Sequence, residues 1–359
     1  MLSVARTVAA VCFLASPLLL AQQTAPRPTS AAEAPNRDTS YIDAKGAAHI
    51  TRVIPVPQDL SPEAQKFISQ PVPDEAPPES LAERRSRMDA WEDQANAEWS
   101  RLCPNRIENT NLGGVPVRIV TPEKFSARNR DKVLINLHGG SFNADSGSYA
   151  ESIPIAGYTG IKVVAVLYRL APEHPFPAAV DDAVAVYKEL LKTYRPEHII
   201  VYGTSAGATL TAEMAVRLKQ LSLPMPAALG IFSALDSFAR MGDSYAMYSL
   251  SGLAGHWNPP AAGAHDPYYV GSADPNDPVL SPINADLHGM PPALFLSSGR
   301  DALLSSTANL ERAWLRAGVD ARLVVFDALP HAFWYHAQLP ESIEASHIMA
   351  SFFLAHLSR

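Results

Sequence analysis

Residues 203–207 read GTSAG and place a serine between two glycines, after an apolar run and before a helical pattern. They fit G-x-S-x-G, a motif in which a strand turns directly into a helix and presents the serine, here Ser205, at the bend. Small residues at 203, 206 and 207 would let the strand and the helix approach closely. A glycine-rich turn without chemistry is the alternative, but the surrounding strand and helix favour a nucleophilic Ser205.

A nucleophilic serine needs a base, and the base needs a carboxylate that orients it. The segment ALFLSSGRDALLSS predicts a strand followed by Asp301, and RLVVFDALPHAFW predicts the next strand followed by His331. The order serine, acid, histidine is the one expected when each residue follows the carboxyl end of a strand. The candidate triad is therefore Ser205, Asp301 and His331.

Other reactive side chains fit this pattern less well. Asp236 comes one strand too early, and Asp327 lies beside the strand that delivers the histidine. His336 and His347 lie near or within the predicted last helix. Cys103, in RLCPNR, has no glycine-rich turn or neighbouring histidine, which favours a structural role.

The segment NLHGGSF, residues 136–142, ends another predicted strand in a histidine and two glycines. Without Cβ atoms, Gly139 and Gly140 would let consecutive backbone N–H groups point into a cavity and hold developing negative charge. The start of the helix after Ser205 would direct further N–H groups there. A tight loop that binds nothing is the alternative, which the position of the loop upstream of the serine weakens.

Short apolar strands alternate with helical patterns from residue 115 onward, which predicts a mostly parallel α/β sheet with helices on both faces. The predicted strands cover residues 115–120, 133–138, 163–168, 198–203, 228–233, 293–298 and 322–326. The predicted helices cover 177–194, 206–220, 305–317 and 338–357, and two more, 60–70 and 80–99, precede any predicted strand. Residues 236–290 form a long insertion over one end of the sheet, where open α/β sheets bind ligands.

The chain has 359 residues, a net charge of −7 and no dense Lys/Arg cluster, which argues against nucleic acid as a partner. Residues 1–21 are typical of a secretory signal peptide, and residues 22–57 of a flexible Pro/Ala-rich leader. The apolar run, about 15 residues, falls short of the roughly 20 that span a bilayer. We therefore expect a secreted or periplasmic protein without a stable membrane span. The sequence contains no H-E-x-x-H motif or Cys/His cluster, so neither a metal nor a cofactor is predicted.

Taken together, these segments resemble the hormone-sensitive-lipase-like family of α/β-hydrolases, in the branch of bacterial carboxylesterases that reads GTSAG. The resemblance covers roughly residues 110–357 and rests on HGGSF, YRLAPEHPFPAAVDDA, GTSAG, DPVLSP, SGRDALL and PHAF. The block YRLAPEHPFPAAVDDA, residues 168–183, is the most specific of these. We interpret it as a rigid turn under the active site, with a structural role.

The resemblance implies an α/β-hydrolase fold and the hydrolysis of short- to medium-chain carboxylic esters without a cofactor. Ser205 would attack the acyl carbon, His331 would act first as base and then as acid, and Asp301 would hold His331. The backbone N–H groups of the implied oxyanion hole belong to Gly140, Ser141 and Ala206, with Gly139 shaping the loop.

The resemblance also implies a domain organisation. Cap helices over residues 58–105 would precede a catalytic domain over 106–359, and the 236–290 insertion would contribute to the helical cap. Two residues depart from the family pattern: Ser141 stands where the loop usually has a third glycine, and Thr204 where many relatives have aspartate.

Several functions remain open at this point. Lactone hydrolysis and the removal of acetyl esters from carbohydrates would use the same triad. A catalytically silent ligand-binding protein is the alternative from another class, but no triad residue is missing. A peptidase of similar fold usually carries a propeller or a larger lid, for which the sequence shows no repeat. The predicted partner is a small-molecule ester or lactone, and cap helices with an exposed edge strand would allow a homodimer.

Overall fold

The computed structural model describes residues 39–71, 79–253 and 267–357. The predicted signal peptide, residues 1–21, lies outside the described residues, as does the part of the leader that precedes residue 39. The same holds for residues 254–266 of the insertion. The signal peptide and the leader therefore stay predictions.

The chain divides into two compact units, and the first comprises residues 1–55. Its described part holds a short antiparallel pair, β1 (Tyr41–Ile42) and β2 (Ala48–His49). The connecting turn is closed by the Asp43 carboxylate, which accepts the N–H of Ala47 at 2.9 Å. We expected helices before any strand, and this pair corrects that expectation; strands of two residues are too short to show a hydrophobic alternation.

The second unit comprises residues 56–359. Its described helices are α1 (Pro62–Ile68), α2 (Leu81–Leu102), α3 (Ser152–Thr159), α4 (Ala178–Leu190), α5 (Ala206–Gln220), α6 (Asp243–Met247), α7 (Pro267–Val270), α8 (Leu304–Arg316) and α9 (Pro340–His356). Its described strands are β3 (Asn105–Leu112), β4 (Val115–Pro122), β5 (Val133–Leu137), β6 (Lys162–Val166), β7 (Ile199–Thr204), β8 (Ala228–Phe232), β9 (Ala293–Ser298) and β10 (Ala321–Phe326).

Within the described residues of this unit, eight strands form one sheet in the order β10-β9-β8-β7-β5-β6-β4-β3. Strands β5 to β10 pair in parallel, whereas β4 pairs antiparallel with both β3 and β6. Successive residues of β5 belong to two separate hydrophobic clusters, because helices cover both faces of the sheet. The predicted mostly parallel sheet is therefore confirmed. Its parallel strands end at one edge, so the segments that follow β5, β7, β9 and β10 lie together there.

Helix α2 joins the catalytic part of the chain at both of its ends. Near its start, Arg85 donates hydrogen bonds to the backbone oxygens of Asn143, at 2.8 Å, and Ala171, at 3.0 Å. Near its end, the buried Trp99 indole N–H donates to the backbone oxygen of Tyr335 at 2.9 Å. The helix is therefore hydrogen-bonded to the segments that follow β5, β6 and β10.

The turn from β7 into α5 depends on two glycines that face other backbone atoms. A Cβ on Gly207 would lie 2.6 Å from the carbonyl carbon of Leu137 and 2.7 Å from the His138 oxygen. A Cβ on Gly203 would lie 2.6 Å from the carbonyl group of Gly207 itself. Because real Cβ atoms do not approach so closely, only glycine lets α5 cross the end of β5 at this distance.

The substitution Gly207→Ala tests this crossing. An alanine in an open helix stabilises a protein by about 1 kcal/mol relative to glycine. Here we expect the opposite sign, a loss of roughly 1–3 kcal/mol in the free energy of unfolding, because the new methyl group overpacks the crossing. Urea unfolding of the wild type and the variant measures the difference, and a more stable variant would contradict the close approach.

Candidate active site

Ser205 lies at the bend between β7 and α5 in a backbone conformation that side-chain-bearing residues rarely adopt. Its φ is 60° and its ψ is −123°. The N–H of Ser205 donates to the backbone oxygen of Phe232, at the end of β8, at 2.9 Å. Strain of this kind persists only where the surrounding structure enforces it, and it is concentrated at functional sites. The geometry presents the Ser205 side chain beyond the carboxyl edge of the sheet, as the motif predicts.

The structure brings Asp301 and His331 together. Nδ1 of His331 lies 2.9 Å from Oδ1 of Asp301, and the Asp301 side chain is fully buried. The second oxygen of Asp301 accepts hydrogen bonds from the hydroxyl groups of Ser297, at 2.9 Å, and Ser233, and Oδ1 also accepts the N–H of Leu303 at 2.8 Å. The carboxylate is therefore held from several sides.

These contacts determine the charge of Asp301. Burial raises the pKa of the carboxyl group, but His331 and the hydrogen bonds from His331, Ser233 and Leu303 together outweigh it and hold the pKa below its ordinary value. Asp301 is thus ionised at neutral pH and can orient the imidazole of His331. Among the described residues, no hydrogen bond joins His331 to Ser205.

The loop after β5 is folded back by its glycines. Gly140 has a φ of 113°, and Ser141 and Phe142 have φ values of 56° and 58°. The backbone oxygen of Gly140 accepts the N–H groups of Asn143 and Ala144, both at 3.1 Å. This turn places Ser141 and Phe142 in the wall of the cavity that also holds Ser205.

The backbone N–H groups around Ser205 differ in whether a protein atom accepts their hydrogen bond. The N–H of Gly139 is occupied, since it donates to the Glu151 carboxylate at 3.2 Å. In the described part of the chain, the N–H groups of Gly140, Ser141 and Ala206 have no protein acceptor. These N–H groups are available to an anion, whereas Gly139 is tied to the protein interior.

The block 168–183 lies beneath this loop. The hydroxyl group of Tyr168 donates to the backbone oxygen of His138 at 2.6 Å, and the N–H of Ala171 donates to the backbone oxygen of Phe142 at 2.8 Å. Within the block, Arg169 and Asp182 form a two-pronged ion pair with contacts of 2.8–3.0 Å. The block therefore supports the loop from below and lines no part of the cavity beside Ser205.

A cavity of about 130 Å³ opens beside Ser205. Part of its lining comes from the loop after β5, from the bend and first turns of α5, and from the segment after β9: Ser141, Phe142, Ser205, Ala206, Thr209 and Leu303. The rest comes from the chain after β8: Leu235, Ser237, Phe238, Met241 and Tyr245. The insertion therefore forms one wall, while α1 and α2 contribute no described lining residue.

The competing candidates lie in other surroundings. Asp236 is buried, with a raised pKa, and accepts a hydrogen bond from an asparagine of α8 at 3.3 Å, whereas Asp327 is exposed. His336 packs against a phenylalanine of α1, and His347 packs against a tyrosine of α3. Cys103 is a buried free thiol whose pKa burial raises. None of these five lines the cavity beside Ser205, and neither do Asp301 and His331, which are distinguished instead by the hydrogen bond between them.

Two further features were not foreseen from the sequence. Thr204 does not face the cavity: its hydroxyl group accepts the Trp334 indole N–H at 3.0 Å in the buried interior. Glu151, a buried residue that accepts the N–H of Gly139, lies in a segment without helical periodicity and belongs to no motif. A serine directly after a strand, such as Ser233 after β8, is the one signal that could have marked a partner of Asp301.

Metal sites and membrane spans are both absent from the described residues. These residues contain no group of three His, Cys, Asp or Glu side chains arranged to hold a metal ion. No described helix has both the length and the apolar character that crossing a bilayer requires.

The sheet, the bend at Ser205 and the loop after β5 define a class of protein, and comparison with known families agrees with it. A family model described as the α/β-hydrolase fold matches residues 134–335. The chain therefore belongs to the α/β-hydrolase fold family.

Comparisons with individual proteins narrow this class. An acetyl-hydrolase of Streptomyces hygroscopicus is 33% identical over 267 residues, which cover 70% of this chain and 88% of that protein. An esterase of Acinetobacter venetianus is 29% identical, covering 70% of this chain and 85% of that protein.

Two solved structures are similar throughout their length. The crystal structure of esterase E25 superimposes with a TM-score of 0.74 at 29% identity, covering 86% of this chain and 98% of that one. A bacterial esterase of the hormone-sensitive lipase family superimposes with a TM-score of 0.72, also at 29% identity, covering 83% of this chain and 99% of that one. The protein is a carboxylic ester hydrolase of the hormone-sensitive-lipase-like group.

The substitution Asp301→Asn tests the role of the buried acid. An amide cannot accept the histidine N–H and the serine hydroxyl protons as the carboxylate does, so we expect kcat to fall by about 10⁴-fold through the wrong histidine tautomer. Asp327→Asn is the matched control, because Asp327 is exposed and lies only four residues before His331. Steady-state hydrolysis of a p-nitrophenyl ester measures both variants, and a larger loss in Asp327→Asn would show that the acid is wrongly assigned.

Proposed function

We propose that the protein hydrolyses carboxylic esters with short acyl groups through a Ser205-His331-Asp301 triad and an acyl-enzyme intermediate. The observation that carries the proposal is the buried Asp301–His331 pair, which follows β9 and β10 at the sheet edge where Ser205 occupies its strained bend. This combination supplies a nucleophile, a base and an orienting carboxylate from separate segments of the chain.

In the first half-reaction, Ser205 Oγ attacks the acyl carbon and transfers its proton to Nε2 of His331. Asp301 stabilises the resulting imidazolium through the hydrogen bond to Nδ1. The carbonyl oxygen becomes an oxyanion, which would accept hydrogen bonds from the unoccupied N–H groups of the loop after β5 and of the α5 N-terminus. The imidazolium then protonates the leaving alcohol, the ester C–O bond breaks, and the acyl group remains on Ser205.

In the second half-reaction, water replaces the alcohol. His331 removes a proton from the water as it attacks the acyl-enzyme carbonyl, and the same N–H groups hold the second oxyanion. Collapse of this intermediate returns the proton from His331 to Ser205 Oγ and releases the carboxylic acid. No step needs a group beyond the protein, the ester and water.

The size of the cavity supports a short acyl group. Pockets for drug-sized ligands typically measure about 300–1,000 Å³, whereas the cavity beside Ser205 measures about 130 Å³. Its lining includes apolar side chains such as Phe142, Leu235 and Phe238, which suit an alkyl chain. The similarity to the acetyl-hydrolase of Streptomyces hygroscopicus supports the same substrate class.

A panel of p-nitrophenyl esters from acetate to octanoate, with a set of simple lactones, tests the proposal. We expect kcat/KM to be highest for acetate or butyrate and about tenfold or more lower for octanoate, because each excess methylene must be accommodated outside the cavity. In Ser205→Ala we expect kcat to fall by roughly 10⁶-fold, to the residual rate of the binding site alone. Equal hydrolysis by wild type and Ser205→Ala would contradict the triad, and a preference for lactones would change the substrate class.

The substitution Met241→Ala tests the role of the insertion in chain-length preference. Met241 lines the cavity at its exposed side, so shortening it should lengthen the cavity and raise the octanoate-to-butyrate ratio of kcat/KM several-fold. Met247→Ala is the matched control, because Met247 is also exposed but lies outside the cavity, at the end of α6. The same ester panel measures both ratios, and an equal shift in the two variants would argue against a cavity wall formed by this segment.

A further inference from the structure

Glu151 has a buried carboxyl group that accepts hydrogen bonds from three different segments. Its Oε1 accepts the backbone N–H of Gly139 at 3.2 Å and the hydroxyl group of Tyr335 at 2.6 Å. Its Oε2 accepts the side-chain amide of Asn136 at 2.8 Å. The Glu151 residue is only 4% exposed, so these donors replace the water that an exposed carboxylate would have.

The three donors come from segments that matter for the proposed reaction. Asn136 lies near the end of β5, and Gly139 opens the loop whose next two N–H groups are unoccupied. Tyr335 follows His331 by four residues, in the segment after β10. A single oxygen of Glu151 therefore accepts hydrogen bonds from two segments. One is the loop after β5, here called the oxyanion loop, and the other is the segment after β10, here called the histidine segment.

The histidine segment is tied to the nucleophile as well. Trp334, next to Tyr335 in the chain, donates its indole N–H to the Thr204 hydroxyl at 3.0 Å. Thr204 directly precedes Ser205. On its other side, the backbone of Tyr335 accepts the Trp99 indole N–H from α2. Tyr335 is therefore held in place, and its hydroxyl group fixes the position of the Glu151 side chain to which it is hydrogen-bonded.

A buried carboxyl group is a costly way to fill space. Burial raises the pKa of Glu151 to about 8, although the hydrogen bonds from Tyr335, Asn136 and Gly139 oppose this shift. An apolar side chain of similar volume would avoid the desolvation cost. What an apolar side chain could not do is accept the Gly139 N–H and so turn it away from the cavity.

We propose that Glu151 is a positioning residue of the oxyanion hole. By accepting the Gly139 N–H and the Tyr335 hydroxyl at one oxygen, it sets the position of the Gly140 and Ser141 N–H groups relative to His331. This inference rests on the proposed function, because it assumes that those N–H groups hold the oxyanion. Glu151 itself does not line the cavity beside Ser205 and acts through the loop.

A positioning role predicts a particular kinetic signature. The N–H groups of the loop interact most strongly with the oxyanion of the transition state, so a displaced loop should lower kcat and leave KM nearly unchanged. A displacement of about 1 Å in such a site can cost roughly 10²-fold in rate. A purely structural role would instead reduce thermal stability and the fraction of active protein, with kcat per active site unaltered.

The experiment compares two substitutions at Glu151 on p-nitrophenyl butyrate. Glu151→Met removes both acceptor oxygens at similar volume, and we expect kcat per active site to fall by about 10- to 100-fold. Glu151→Gln keeps one acceptor oxygen for Gly139 and Tyr335, so it should stay within about threefold of wild type. Active sites are counted by stoichiometric reaction with a p-nitrophenyl phosphonate.

Tyr335→Phe provides the second measurement in case Glu151→Met does not fold, since it removes only one hydroxyl group. We expect a similar fall in kcat with KM within about twofold. Tyr187→Phe is its matched control: Tyr187 is also buried, and its hydroxyl donates to the backbone oxygen of Pro224 at 2.9 Å, away from the cavity. Wild-type kcat is expected for this control.

Two results would overturn the inference: wild-type kcat per active site in both Glu151→Met and Tyr335→Phe, or an equal loss of kcat in Tyr187→Phe. Ser205→Ala, measured alongside, separates this failure from that of the triad. An inactive Ser205→Ala with fully active Glu151 and Tyr335 variants would refute only the positioning role. A Ser205→Ala variant as active as wild type would refute the proposed function itself.

Discussion

The bend at Ser205 is the constraint on which the rest of the site depends. A residue with a side chain keeps a positive φ only where its neighbours leave no alternative. Here α5 crosses the end of β5 at a distance that only Gly203 and Gly207 allow, and the N–H of Ser205 is held by Phe232 of the adjacent strand. The same crossing brings the first N–H groups of α5 to the cavity, so the proposed nucleophile and part of the proposed anion site are positioned together.

The loops that complete the site are held in another way. Irregular segments cannot use the hydrogen-bond ladder of a sheet, and their buried polar groups must find other partners. Asp301 and Glu151 supply such partners, each buried and each accepting several hydrogen bonds. One holds the imidazole of His331, and the other holds the start of the oxyanion loop. Two buried carboxyl groups therefore hold these loops in place at the carboxyl edge of the sheet.

Much of this architecture can be predicted from the sequence, because its strands are continuous apolar runs and its motifs directly follow them. The acid and the base that the strand order selects, Asp301 and His331, are hydrogen-bonded in the structure. Strand β3 was missed because it is a polar edge strand, and α3 because its short sequence, SIPIAGYT, contains a proline and ends before a glycine. The role of Glu151 depends on contacts with residues up to 184 positions away, which no local pattern records.

The cavity beside Ser205 has walls of two different kinds. The groups proposed to react follow strands of the sheet, whereas the opposite wall, from Leu235 to Tyr245, belongs to a long connection after β8 that carries none of them. Substitution of its apolar cavity-lining side chains changes the space available to a substrate and removes none of the hydrogen bonds that hold Asp301. The fold thus separates the acceptance of a substrate from its chemistry, and new ester preferences can arise by changes confined to a surface segment.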